Sequence, residues 1–480
     1  MPLSASLDDN LEAVCTRCAG SADLLTHPVT LCGIRCCLLS CEGMTSAALL
    51  AEAVTEPLMQ LDLHPESGGA LLEFLLSHRL LAADAPVCRD TESLFSMLYA
   101  GFAVLLADGA DFAAAFGVQG YASRGVSEPS GEQNIYGAKE GFTEVIRTGM
   151  GQVRRRLRTP LLTFELISAG TLSRTDLCLC WLRGRVPENL LCQTRDALRS
   201  LPLESVLSSG YVRPFLEQND CSLFHTAGTT ERPDVFCAKL LEGRIGILID
   251  GTPFALTVPQ LFCESFQTLD DYNYPPAYVT FLRWLKYLAA LVALLLPAVY
   301  LAVSVWHPEL LDETLLRILT ESEQDVPFSL AAEMLGILFM YEIVREAGLR
   351  LPKAVGSAVG IIGGLLIGDA AVKSGLISTP VLTTAALSAT AGFVIPEHHA
   401  ALTVLRPLLI LAAACAGLPG LAAASAAILC QICAAELDGI PYTAPVTPLL
   451  PHRLSDILGR AGFRRLSQNN FRIGEVQEHE

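Results

Sequence analysis

Six cysteines crowd into the first 41 positions: Cys15-x-x-Cys18, then Cys32, Cys36, Cys37 and Cys41. Thiolates at such spacing could close a tetrahedral zinc site. The competing reading puts Cys36 and Cys37 in a strand (LCGIRCCLLSC), where small free thiols pack as apolar residues. The strand is the expectation adopted, with no metal or cofactor. The histidines of the first half, His27, His64, His78 and His225, are scattered without ligand spacing. Nothing matches a Walker A loop, GxGxxG after a strand, GxSxG or HExxH, so no enzyme is expected.

Four arginines, Arg154, Arg155, Arg156 and Arg158, close the run AKEGFTEVIRTGMGQVRRRLRT before Pro160. Cations at a helix C-terminus complement its dipole. The same cluster could instead meet an acidic partner or anionic membrane lipid. Two carboxylates stand in apolar surroundings: Glu333 within FSLAAEMLGILFMYEIV, and Asp369 directly after VGSAVGIIGGLLIG. A carboxylate at membrane depth is costly and defaults to a functional role, here a pore or ion path. Asp369 could equally sit at the interface, paired with Lys373. Gly356, Gly360, Gly364 and Gly368 recur every four residues and share one helix face. Such a face lets helix backbones approach closely, within one chain or between subunits.

These residues need elements to position them. The chain has 480 residues, too many for one ordinary domain. Charged residues make up 17%, below the roughly 25% of average proteins, and are sparse between Lys286 and His452. A net charge of −17 argues against nucleic acid as a partner, because phosphate binding needs a basic face. The opening MPLSASLDDNLEAV lacks the basic and apolar parts of a secretory signal, so the N-terminal region is expected in the cytoplasm. Its cysteines are then expected as thiols.

The soluble part reads as a duplication. Gly43 and Gly184 close similar strand-then-helix stretches 141 positions apart, and Phe95 and Phe236 repeat that offset. Asp108-Gly109 and Asp250-Gly251, offset by 142, each stand between two apolar runs, a hairpin signal that needs positive φ. The fold class expected is an α/β soluble region of two similar subdomains followed by an all-α polytopic membrane domain. The divisions are 1–125 for the N-terminal α/β subdomain and 126–160 for a linker and basic helix. A second α/β subdomain spans 161–280, a membrane domain of five or six hydrophobic segments 281–437, and a cytoplasmic tail 438–480.

Lys286–Trp306 is long enough for a bilayer core of about 30 Å. Phe328–Val344, the glycine-rich segment, Val381–Ile395, Ala401–Gly417 and Leu421–Ala434 follow, the last two parted by Leu418-Pro419-Gly420. Arg283 and Lys286 flank the first segment, and its far side is acidic, which places the N-terminal region inside. Six crossings put both REAGLRLPK and the basic tail inside; five leave the tail outside, so six is the better expectation.

Several motifs together resemble the A subunit of GerA-type spore germination receptors and the related stage V sporulation protein AF. They include Glu140-Gly141-Phe142 with the following RRRLR, Ser173-Arg174-Thr175, Ser209-Gly210-Tyr211 and Thr230-Glu231-Arg232-Pro233-Asp234. They continue through EGRIGILIDGTPFALTVP, His307-Pro308-Glu309, REAGLRLP and GSAVGIIGGLLIGDAAVKSGLIS to Pro441-Tyr442. Departures are Gly149 and Phe224-His225-Thr226, and the first 120 residues match loosely. The resemblance implies an oligomerising membrane component of a nutrient-gated ion channel in the spore inner membrane. It implies as partners further copies of itself, a transporter-like B subunit and a lipoprotein C subunit. The alternatives are the stage V accessory type and a secondary transporter; the latter fits less well, since the repeat lies in the soluble part.

Overall fold

A computed structural model describes residues 2–78, 84–120, 132, 135–217, 222–324, 326–350, 368, 370–449, 454, 456–466 and 472–474. The first lobe runs α1 (Leu7–Cys18), β1 (Leu24–Leu31), β2 (Ile34–Cys41), α2 (Ala47–Leu49), a π-helical stretch (Leu50–Thr55) and α3 (Glu56–Met59). It continues with α4 (Gly68–His78), β3 (Val87–Cys88), α5 (Thr91–Leu98), β4 (Phe102–Ala107) and β5 (Ala113–Gly117). The second runs α6 (Ile146–Arg156), β6 (Leu162–Ala169), β7 (Thr175–Leu182), α7 (Glu188–Arg199) and α8 (Ser209–Leu216). β8 (Gly228–Thr230), α9 (Pro233–Leu241), β9 (Ile245–Ile249) and β10 (Ala255–Val258) complete it.

Each lobe holds a five-stranded antiparallel sheet, ordered β1-β2-β4-β5-β3 and β6-β7-β9-β10-β8. The two orders are one topology repeated. The Asp-Gly turns show how far the repeat extends. Gly109 and Gly251 have φ of +84° and +85°, a conformation that suits glycine. Asp108 Oδ1 accepts the Leu7 N–H at 3.2 Å, and Asp250 Oδ1 accepts the Ile146 N–H at 3.0 Å. Each carboxylate thus satisfies an orphan donor at the start of a helix. The Gly109 N–H to Ala5 O and the Gly251 N–H to Glu144 O repeat the match. The basic helix, set apart by sequence as a linker, therefore holds in the second lobe the place of α1 in the first.

In the first lobe, α1 and α5 cover one sheet face through Leu7, Val14, Leu94 and Leu98, packed on Cys37, Leu39 and Cys41. In the second, α6 and α9 cover the matching face. Cys36 and Cys37 lie in β2 on opposite faces, and burial pushes both thiols up to about 11, so they stay neutral.

The C-terminal part is helical: α10 (Pro276–Trp306), α11 (Glu313–Glu323), α12 (Leu330–Arg350), α13 (Thr379–Gly392) and α14 (His399–Ala434). Among the described residues, two helical stretches are long and apolar enough to cross a membrane, Pro276–Trp306 and Pro396–Ala434. α12 has the length but carries Glu333, Glu342, Arg345 and Glu346, and α13 has only 14 residues. The glycine-rich segment falls outside the described residues, apart from Gly368.

α14 is a hairpin rather than one rod. Ala416 and Gly417 leave helical geometry, Gly417 at φ +61°. Beyond the break, a Cβ on Gly420 would collide with the Ala412 carbonyl, although eight residues of straight helix span ~12 Å. Ala401 and Leu405 accordingly share a cluster with Ile428 and Ile432. The turn lies slightly before the Leu418-Pro419-Gly420 expected from sequence, because Gly417 can take positive φ where Leu418 cannot do so cheaply. Trp306, at the far end of α10, packs on Gly417 and donates its Nε1–H to Ala414 O at 3.2 Å.

After α14 come β11 (Glu436–Leu437) and β12 (Ile440–Pro441), then a short α15 (Phe463–Leu466). This tail returns to the second lobe, where Leu437, Ile440, Ala444, Ile457 and Ile473 belong to the same core as Leu177, Leu179 and Ile247.

Candidate functional site: the joint between lobes, tail and first long apolar helix

Arg283 sits in the second turn of α10 and is fully buried. Its Nε donates to Asp271 Oδ2 at 3.1 Å, and its Nη1 to Asp456 Oδ1 at 3.0 Å and to the Asp456 carbonyl. Asp271 is held in place by the Thr268 capping box that opens Leu269–Tyr272. One turn along α10, Lys286 Nζ reaches Phe266 O at 3.2 Å and Asp271 Oδ1 at 3.5 Å. Two cations thus face two carboxylates, the condition under which charges tolerate burial. The Tyr272 hydroxyl donates to Asp456 Oδ2 at 2.7 Å; burial and that carboxylate push the phenol up, so it keeps its proton. Arg460 continues the strap, bonding the carbonyls of Tyr272 and Tyr274.

An aromatic cluster lies beside this charged knot. Phe266 of the second lobe meets Tyr287 of α10 at 4.5 Å between ring centroids. Phe262 lies 5.3 Å from His398 at the start of the hairpin and 5.8 Å from Tyr442 in the tail. Lobe, tail, α10 and α14 therefore converge at one place. Edge-to-face and offset ring pairs of this kind add about 0.5–1.5 kcal/mol each beyond area burial.

Deeper in the bundle, a second polar knot has a covalent cause. Pro297 has no N–H, so the Ala293 carbonyl one turn earlier loses its helical partner. Arg406 Nε of α14 donates to that carbonyl at 2.7 Å, and Ser388 Oγ of α13 at 2.8 Å. Arg406 Nη2 also reaches Ser388 O at 3.3 Å. Three helices are pinned where α10 is interrupted, as re-satisfied backbone in apolar surroundings requires.

The residues singled out by sequence are distributed as follows. Glu333 is buried and accepts the Ser378 N–H at the start of α13. Gly368 lies beside Leu382 of α13, with room for a Cβ at 3.5 Å. Gly356, Gly360, Gly364 and Asp369 lie outside the described residues. The arginine cluster does not act as one surface, because successive helix positions point about 100° apart. Arg154 is fully buried, with Nε 2.6 Å from Asp23 Oδ2 and Nη2 3.0 Å from Asp23 Oδ1, which ties α6 to the first lobe. It is closed to lipid. Arg155 and Arg156 pair with Glu140. Burial would raise that carboxyl, but the two guanidiniums outweigh it and hold it below its ordinary range. Only Arg158 is exposed.

Sequence reasoning noted Arg283 and Lys286 as flanking charges but missed Asp271, Asp456, Arg460 and Arg406. For Arg406 a signal existed: a single arginine in a long apolar run, with Pro297 inside another.

A profile of the family described as Bacillus/Clostridium GerA spore germination protein matches residues 12–470. The chain is 32% identical over 463 residues to spore germination protein KA of Bacillus subtilis (strain 168), covering 95% of this chain and 85% of that protein. It is 30% identical over 452 residues to spore germination protein GerLA of Bacillus cereus, with 93% and 92% coverage. The uncharacterized membrane protein YfkQ of Bacillus subtilis (strain 168) is 32% identical over 471 residues, with 96% and 90% coverage. The crystal structure of the N-terminal domain of the A subunit of the Bacillus megaterium spore germinant receptor GerK3 aligns with 55% of this chain and 98% of that one. Its identity is 26% and its TM-score 0.42.

Proposed function

Since this chain belongs to the Bacillus/Clostridium GerA spore germination protein family, we propose that it is the A subunit of a nutrient-gated germination receptor. In this reading it is an oligomerising channel component of the spore inner membrane, working with a transporter-like B subunit and a lipoprotein C subunit. The lobes lie in the cytoplasm and Asp369 borders the ion path.

The observation that carries the reading is the joint around Arg283. It gives a change in the lobes or tail a rigid route into α10, and the aromatic cluster extends that route to the α14 hairpin. The helix directions support six crossings. α10 leads away from the lobes, while Glu342 in the second half of α12 meets His399 and Thr403 at the start of α14. α13 starts beside Glu333 of α12, on the far side, and ends near the lobes, and α14 goes out and back. The remaining crossing in this reading is the glycine-rich segment counted from the sequence. An even count places the tail on the lobes' side, where it packs.

Reconstituted in liposomes with its partners, the protein should run as a discrete oligomer and pass monovalent cations on germinant addition. Asp369→Ala should change the flux and leave oligomer size alone. A monomer that exchanges substrate stoichiometrically would overturn the proposal in favour of a transporter.

A further inference from the structure

Between β1, β2 and the helical stretch of α2, the π-helix and α3 lies a partly open cavity of about 540 Å³, within the range of small-molecule sites. Its walls are mainly apolar, with Leu31, Leu38, Leu50 and Leu58 prominent. Ser40 also lines it. That residue is 1% exposed, and its hydroxyl has no hydrogen-bond partner. A buried unpaired hydroxyl is unfavourable in a finished core, at about 1–3 kcal/mol.

The second lobe shows what a filled version looks like. β2 and β7 match at an offset of 141, which pairs Ser40 with Trp181. Trp181 is buried in the core of the second lobe under Leu190 and Leu191 of α7, with Arg195 stacked over its ring. α7 is a regular α-helix, whereas its counterpart is π-helical over Leu50–Thr55, and Leu50, Ala51 and Thr55 line the cavity. π-helical turns recur at functional sites. One copy of the repeat has thus closed this face with an indole, and the other has left it open with a free hydroxyl inside.

We propose that this cavity binds a small uncharged amphipathic molecule, with a compact hydrocarbon body against the leucines and a hydroxyl or carbonyl group on Ser40. A charged ligand is disfavoured, since the carboxylate at the rim, Glu42, is already paired with Arg147 at 2.6 Å. That pair also shows where occupancy is felt. Arg147 belongs to α6, and Gly43 next to Glu42 packs directly on Gly151 of the same helix. A ligand pressing on the end of β2 therefore acts on the contact between lobes. The proposal stands independently of the channel reading.

The test uses the full chain in lipid nanodiscs, photolabelled with 3-azioctanol and mapped by peptide mass spectrometry. Saturable labelling within residues 24–59, competed by 1-octanol, is expected, with labelling of α10 as the membrane reference. Ser40→Trp, which copies Trp181, should abolish the saturable component. Ala51→Phe closes the cavity from the helix side and should do the same if Ser40→Trp does not fold. Ser40→Ala should lower labelling about fivefold at a sub-saturating dose, the loss of one hydrogen bond of about 1 kcal/mol. Labelling of 24–59 that does not saturate, or that persists in a folded cavity-filled variant, overturns the site. Equal labelling of wild type and Ser40→Ala overturns the role of the hydroxyl.

Discussion

Arg283 and Asp456 are 173 positions apart in sequence and 3.0 Å apart in space. One belongs to the first apolar helix, the other to the tail that follows the last. The bond closes a loop around the whole helical domain.

Removing one partner of this knot should be costly. Asp456→Asn leaves a buried guanidinium with Asp271 as its remaining carboxylate, a change of about 1.5–3 kcal/mol, the worth of a hydrogen bond between charged groups. The expected result is a lower Tm and a tail open to protease around Arg460. The double variant Arg283→Met with Asp456→Leu should be more stable than either single variant, because no unpaired charge remains.

The knot at Ala293 gives a sharper test. Arg406→Leu should destabilise the bundle in the natural background. In a Pro297→Ala background the restored N–H satisfies Ala293 O, and the same change should cost less. A coupling of about 1 kcal/mol or more in the thermal unfolding cycle is expected. Strict additivity would mean that Arg406 does not serve the proline-released carbonyl.

A pH effect is expected at Glu132. Its carboxylate oxygens accept the Thr230 hydroxyl at 2.8 Å and the Glu231 N–H at 3.3 Å. Burial pushes this carboxyl up from 4.5 to about 7; those two bonds oppose the rise, and the carboxylates of Glu397 and Glu231 add to it. The folded state therefore prefers the protonated form. Its contribution is fully present below about pH 4.5 and is lost as pH rises through about 7, a span on the order of 3 kcal/mol by linkage. Glu132→Gln should flatten the change in Tm between pH 5 and pH 8. An unchanged slope would place the titration elsewhere.

The glycine ladder separates packing from assembly. Replacing Gly360 and Gly364 with Leu should reduce oligomer size in native mass spectrometry if the face joins subunits. An intact oligomer with a lowered Tm would assign it to packing within one chain.

Much of the fold of the two lobes was legible because Asp-Gly turns and strand ends recur at a fixed spacing. What that spacing concealed was the place of the basic helix, since α1 and α6 each bond an equivalent aspartate, Asp108 and Asp250, but share no visible motif. Arg154 read as a surface cation because its neighbours are cationic, and only the fold brings Asp23 against it. The joint was illegible for the same reason: Asp271 and Asp456 are ordinary aspartates until the tail returns to α10. Cys36 and Cys37, by contrast, sit in β2 as the apolar strand pattern indicated, since alternation alone decides their faces.

The return of the tail also sets an order of events during synthesis. Ile457 and Ile473 complete the core of the second lobe, yet they leave the ribosome after every apolar helix has been made. Until the tail is made, that lobe lacks the cover that Ile457 and Ile473 give it, and its core leucines stay bare. The core of the second lobe is thus shared between segments made before and after the apolar helices.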